Sequence, residues 1–245
     1  MRIELGKITG MFIGIAAGNA IEETLAVANS LIDNGPIAPL ESPVPAQVAP
    51  LGAFTLSRRF EKRRREYVKD ISKLFLANRT RIVLEATLAH SEAIAYCIST
   101  SRERFNPHEF LASIIQAASE AKDHGFIANQ NSLLKRLRAI DSFPLTKLKT
   151  ETISDIFEGG TGSLYNSLPF SYTLFLCDPL NLATLDTVCG GDMENNRSIV
   201  GSLLGALNGV GIFPRHMIEG LDKNRKIIET ANKFHQKFFS RKDII

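Results

Sequence analysis

Two glycine ladders, one near each end of the chain, constrain its fold more than any other feature. Gly10, Gly14 and Gly18 repeat every four residues, and so do Gly201, Gly205 and Gly209. Positions four apart share one face of a helix. Each ladder is therefore a bare strip along which another backbone can come within close-packing distance. A glycine inside a helix costs roughly 1 kcal/mol relative to alanine. Such residues at repeated helical spacing imply that something presses on those strips. The simplest arrangement lays the two helices against each other or against a shared neighbour, bringing both chain ends to one place. Asp192 and Glu194, at the start of the second ladder helix, then face the centre of the molecule.

The rest of the chain also reads as helix. Residues 7–32 form one helix, or two joined by a kink at Gly18-Asn19. Residues 34–50 hold five prolines and are expected as a long loop. Apolar residues at helical spacing run through 66–99, among them Ile82, Leu84, Leu88, Ile94 and Ile98. Asn106-Pro107 predicts a cap and first turn, opening a helix to about Lys122. Further helices are expected over 127–140, 150–157 and 163–176, the last bent near Pro169. Others run from Asp178-Pro179 to about Val188, from Asp192 to Asn208, briefly after Pro214, and over 222–239. No run of alternating strand pattern interrupts them. The expected class is all-α, with nine to eleven helices in one compact domain spanning 1–245.

A chain of 245 residues with 44% hydrophobic and 22% charged residues can fill one large core. Its net charge of +3 does not by itself point to nucleic acid. The basic run Arg58, Arg59, Lys62, Arg63, Arg64 and Arg65 reads as a solvated helix face. No interleaved aromatic platform accompanies it, which speaks against nucleic acid as a partner. Cys97, Cys177 and Cys189 lack CxxC spacing and read as reduced thiols of a cytoplasmic protein. The apolar N-terminal stretch contains glycines, follows Glu4 and continues its helical pattern to Ile32, unlike a cleaved signal. No segment reaches the ~20 apolar residues needed to cross a membrane.

The strongest local signal for chemistry is Gly190-Gly191-Asp192-Met193-Glu194-Asn195-Asn196 at a helix start. Carboxylates are favoured there by the helix dipole and free N–H groups. One reading makes Asp192 an N-cap with Glu194 in the first turn. The other makes Asp192, Glu194 and Asn195 oxygen ligands for a hard cation such as Mg²⁺, Mn²⁺ or Ca²⁺. Glu22 and Glu23 on the first ladder segment are then the candidate ligands from elsewhere. His90, His108, His124, His216 and His235 are dispersed, and His90, within an apolar helix, reads as a core or capping residue. No serine or cysteine nucleophile arrangement is present.

These residues resemble the ADP-ribosylglycohydrolase family, which includes the dinitrogenase reductase-activating glycohydrolases. The family pattern GGDTDT, followed by a small-residue helix and a turn ending in Ile-Pro, is similar to Gly190 through Asn195 and then GSLLGALNGVGIFP from Gly201 to Pro214. Ser167-Leu168-Pro169-Phe170 and Phe175-Leu176 look like the segment before that motif. Gly10 to Ala20 is similar to the opening G-x-x-x-G-x-A-x-G-D-A, with Asn19 in place of aspartate. Val48-Ala49-Pro50-Leu51-Gly52 also fits. The resemblance implies a compact helical fold with two divalent ions, Mg or Mn, at its centre. It implies hydrolysis of the bond between ADP-ribose and a protein side chain or related acceptor.

The departures fall where the family does its chemistry. Glu194 replaces an aspartate and Asn195 a threonine of the metal-binding motif. The family's second ligand set, Thr-Asp-Asp-Thr, has two possible counterparts. Ile21-Glu22-Glu23-Thr24 supplies two acids; an ungapped register from Ala28-Asn29-Ser30-Leu31 puts Asn19 and Ala20 there instead. The family's Gly-Asn-Gly phosphate loop falls at Glu41 to Gln47, where Pro43 and Pro45 have no N–H to donate. Its Thr-His pair falls at Phe75-Leu76. The resemblance thus implies a protein with weakened or lost hydrolysis that binds an ADP-ribose-like ligand or an ADP-ribosylated protein. The alternative is a working metal-dependent hydrolase using Asp192, Glu194, Glu22 and Glu23.

Overall fold

Twelve α-helices and no β-strand make up residues 3–34, 45–57, 63–75, 80–121, 132–188 and 191–240, which the computed structural model describes. In chain order they are α1 (Leu5–Ala16), α2 (Ile21–Asp33), α3 (Ala49–Phe54), α4 (Arg64–Phe75), α5 (Arg81–Ser99) and α6 (Pro107–Ser119). There follow α7 (Leu133–Ile140), α8 (Thr150–Ile156), α9 (Leu164–Cys177), α10 (Met193–Asn208), α11 (Arg215–Glu219) and α12 (Asn224–Phe238). The all-α class is as expected, with one helix more than the expected range.

The glycine ladders explain the centre. α1 and α10 run antiparallel with their bare strips in contact. A Cβ on Gly10 would meet Gly205 and Gly209, one on Gly14 would meet Gly201, and one on Gly18 would meet Ser198 and the Glu194 carbonyl. Every one of these clashes includes backbone atoms, which cannot swing aside as a flexible side chain can. Residues Ile8 to Ile15 of α1 are buried on every side. That suits a helix hydrophobic all round. Phe12, on α1, meets the α12 ring of Phe234 edge-on, with centroids 6.2 Å apart. Beyond α10, Phe110 on α6 packs against Tyr172 and Phe175 on α9 at 5.8 and 5.6 Å.

The kink expected at Gly18-Asn19 is present: α1 ends at Ala16, Asn19 has φ 76°, and α2 starts at Ile21. Asn106 caps α6 as expected, its side-chain oxygen accepting from the N–H groups of His108 and Glu109 at 3.0 and 3.4 Å. Two expectations fail locally. Residues 45–50 of the proline-rich stretch form a 3₁₀ turn (Pro45–Val48) and the start of α3. Proline at a first helical turn needs no N–H partner, so Pro50 does not break α3. The helix expected after Asp178-Pro179 is only a 3₁₀ turn, Leu182–Leu185, capped by Asn181. Residues 35–44, 122–131, Cys189 and Gly190 lie outside the described residues, as does the early part of the basic run.

The later part of that basic run is not a solvated face. Arg64 and Arg65 turn inward to the buried carboxylate of Glu92 at 2.8 and 3.3 Å, and Arg65 also reaches Glu120 at 3.0 Å. Ser113 donates to Glu92 as well, at 2.7 Å. The cluster ties α4, α5 and α6 together.

Candidate functional site

The acidic start of α10 sits where the α1–α2 junction crosses it. Gly18 makes this possible: with no side chain, its backbone approaches Ser198 and the Glu194 carbonyl. Ser198 then stitches the crossing, its Oγ donating to the Ile15 carbonyl at 3.0 Å and accepting from the Ala20 N–H at 3.3 Å. Beside it, the Asn19 amide donates to Glu194 Oε1 at 3.5 Å. A left-handed φ suits asparagine better than most residues.

Behind the α10 start lies the turn Glu158–Gly162. Gly191 has φ 57°, and a Cβ there would strike the Gly159 carbonyl. Asn196, fully buried in the first turns of α10, donates to the Gly160 carbonyl at 3.2 Å and accepts from Ser171 at 3.3 Å. On the next turns Ser202 donates to the Ile199 carbonyl at 2.7 Å, so it accepts from His90 Nε2 at 3.3 Å. The other imidazole nitrogen, Nδ1, then accepts from the Tyr172 hydroxyl at 3.3 Å. Complete burial pushes the His90 pKa down to about 3, so the ring is a neutral internal strut, matching its expectation as a core residue.

The five candidate ligands do not converge. Asp192, Glu194 and Asn195 share the opening of α10, with Asp192 and Glu194 exposed. Asp192 occupies the N-cap position without accepting a capping bond, and its carboxylate instead receives the Asn195 amide. Glu22 and Glu23 lie exposed in the first turn of α2. Glu22 turns to an ion pair with Lys223, just before α12. The groups that α2's approach brings to α10 are Asn19 and Ala20, both uncharged. Among the described residues no three His, Cys, Asp or Glu side chains gather as a metal ion requires. Two divalent ions need several carboxylates to balance their charge, and this donor set fits such a pair poorly.

Sequence reasoning missed Asn19, Asn196 and Ser198 as the polar residues that fix the junction. Their signal was available: polar side chains interrupting the apolar and glycine faces of a buried helix are kept only when partnered.

An all-helical domain whose first and penultimate long helices pack through glycine, with carboxylates at their crossing, defines the class. A family model of ADP-ribosylglycohydrolases matches residues 34–243. The chain therefore belongs to the ADP-ribosylglycohydrolase family. That match begins after the first ladder and does not cover residues 19–24. No curated protein matches the chain. No helix among the described residues is long and apolar enough to cross a membrane.

Proposed function

We propose that this chain is a family member that keeps the helical frame and acts by binding, with hydrolysis weakened or lost. Its ligand is an ADP-ribose-like group, free or on an ADP-ribosylated protein. The observation that supports this reading is the Asn19–Glu194 contact: a neutral amide, standing where the opening motif of the family has an aspartate, reaches the α10 carboxylate at 3.5 Å. Glu22 supports it, since its carboxylate pairs with Lys223. The free thiols Cys97 and Cys177 suit a cytoplasmic setting.

One observation favours the second reading, a metal-dependent hydrolase. Asp192, Glu194 and Asn195 still offer oxygens on one exposed helical turn, where a divalent ion such as Mg²⁺ or Mn²⁺ could be held. Calorimetry with ADP-ribose, run with and without Mg²⁺ or Mn²⁺, tests both, alongside release of ADP-ribose from a modified protein. The binding reading expects saturable ADP-ribose binding that metal leaves unchanged, and no release. Metal-dependent release lost in Asp192→Ala would establish the hydrolase instead. Absence of ADP-ribose binding in every condition would overturn the binding role.

A further inference from the structure

Ser91, in the middle of α5, carries a buried hydroxyl without a partner. The residue is 3% exposed, and among the described residues nothing bonds its Oγ. A helical serine or threonine often returns its hydroxyl to the carbonyl three or four residues back. Ser72 does so to Val68, and Thr24 to Ala20. Ser91 does not. A hydroxyl left unpaired at such depth is costly, and most in native proteins find a protein or water partner.

A small cavity adjoins Ser91. It admits the centre of a water-sized sphere over about 10 Å³, which is room for one water molecule. Its wall joins Thr55, at the end of α3, to Arg64 and Arg65 on α4 and to Ser91 and Glu92 on α5. Gly52 seats α3 on this part of α5, since a Cβ there would meet the Ser91 carbonyl at 2.3 Å. The polar wall groups keep unused bonding capacity. Thr55 Oγ1 donates to the Gly52 carbonyl at 2.9 Å, which leaves it free to accept. Glu92 Oε1 accepts from Arg64, Arg65 and Ser113, whereas Oε2 accepts only from Arg65 Nε, at 3.3 Å. Arg64 has further N–H groups beyond the one it gives Glu92. The wall also sets the ligand's charge. An anion would meet the Glu92 carboxylate at close range, and a cation would meet two guanidinium groups. A neutral molecule that both donates and accepts suits it.

We propose that this cavity is the binding site of one ordered water molecule, held by Ser91, Glu92 and Thr55. The water accepts from the Ser91 hydroxyl and donates to Glu92 Oε2 and Thr55 Oγ1. About three bonds are usual for a buried water, and bonds through such a water are nearly as favourable as direct ones. The bridge carries the Glu92 cluster across to α3, so that α3, α4, α5 and α6 share one polar centre. The site is separate from the acidic junction and does not depend on what binds there.

The test is a crystal structure of the full chain, grown with bromide and at a resolution that shows ordered water. It is paired with NMR cross-relaxation between water and amide protons. The expected result is an oxygen peak in the cavity, roughly 2.5–3.0 Å from Ser91 Oγ and from Glu92 Oε2 or Thr55 Oγ1. In solution the amide protons of Ser91 and Glu92 should show cross-peaks to a long-lived water. Ser91→Val removes the hydroxyl and fills the space, and it should abolish both signals in a chain that still melts cooperatively. Should that variant fail to fold, Ser91→Ala, which removes the hydroxyl alone, should weaken the same cross-peaks. The proposal is overturned if the cavity density is empty, if anomalous scattering places bromide there, or if Ser91 Oγ instead bonds the Thr87 carbonyl. It is also overturned if the cross-peaks are missing from the parent chain, or persist unchanged in the folded variant.

Discussion

Gly14 and Gly201 lie back to back, each occupying the space that a side chain on the other would need. A Cβ on either would fall on the carbonyl group of its partner. Gly14→Ala should therefore push α1 and α10 apart along their whole contact. We expect a loss of about 3 kcal/mol or more in urea unfolding, at the upper end of overpacking effects. Gly6 is the control, since a Cβ there meets nothing within 4 Å. Gly6→Ala should instead gain up to about 1 kcal/mol from helix propensity.

Asn19→Asp places an acid facing Glu194. Without metal the variant should be less stable by under about 1 kcal/mol, because the pair is exposed. Its melting temperature should then rise with millimolar Mg²⁺ or Mn²⁺ by mass action, while the parent chain stays flat. A parent chain that responds as strongly as the variant would show that the amide at Asn19 does not limit metal binding.

Burial of His90 gives a defined acid response. Its pKa is about 3 when folded and about 6.5 when the chain is unfolded. Between those values the unfolded chain binds the extra proton. The contribution of neutral His90 is thus complete above about pH 6.5 and shrinks as pH falls toward 3, by up to about 1.4 kcal/mol per pH unit. Urea midpoints at pH 7 and pH 5 should differ accordingly, and His90→Gln should flatten the difference. A slope unchanged in that variant would place the acid sensitivity elsewhere.

Glu92 is 6% exposed and holds Arg64, Arg65 and Ser113. Glu92→Ala should cost about 2–3 kcal/mol, below the full cost of an orphaned buried ion because both arginines can swing toward water. Arg63→Ala breaks only an exposed i,i+3 pair with Glu66 and should cost less than about 0.5 kcal/mol. Denaturant unfolding of the two variants side by side checks the contrast.

The frame was legible in the sequence because glycine in a helix is costly and regular spacing is hard to explain otherwise. The ladders implied a close backbone neighbour, either each other or a third element, and the structure pairs Gly10 with Gly205, Gly14 with Gly201 and Gly18 with the start of α10. Asn106-Pro107 was legible for a similar reason, since a cap is a local hydrogen-bond pattern. The destination of Glu22 was not local. It depends on α2 beginning at Ile21 and on Lys223 arriving some 200 residues later, neither of which spacing within residues 19–24 can fix. Arg64 and Arg65 misled in the same way: a basic run looks solvated until a distant buried acid turns it inward.

The back-to-back glycines also order events in time. On a ribosome, α1 is made before α10, and the glycine strip of α10 that receives it appears roughly 190 residues later in synthesis. Until then a helix apolar on every side must wait without its partner, the kind of long-range closure that slows folding and invites aggregation. Nascent-chain truncations ending before α10 should accordingly depend on chaperone capture, and those ending beyond Gly209 should be released from it.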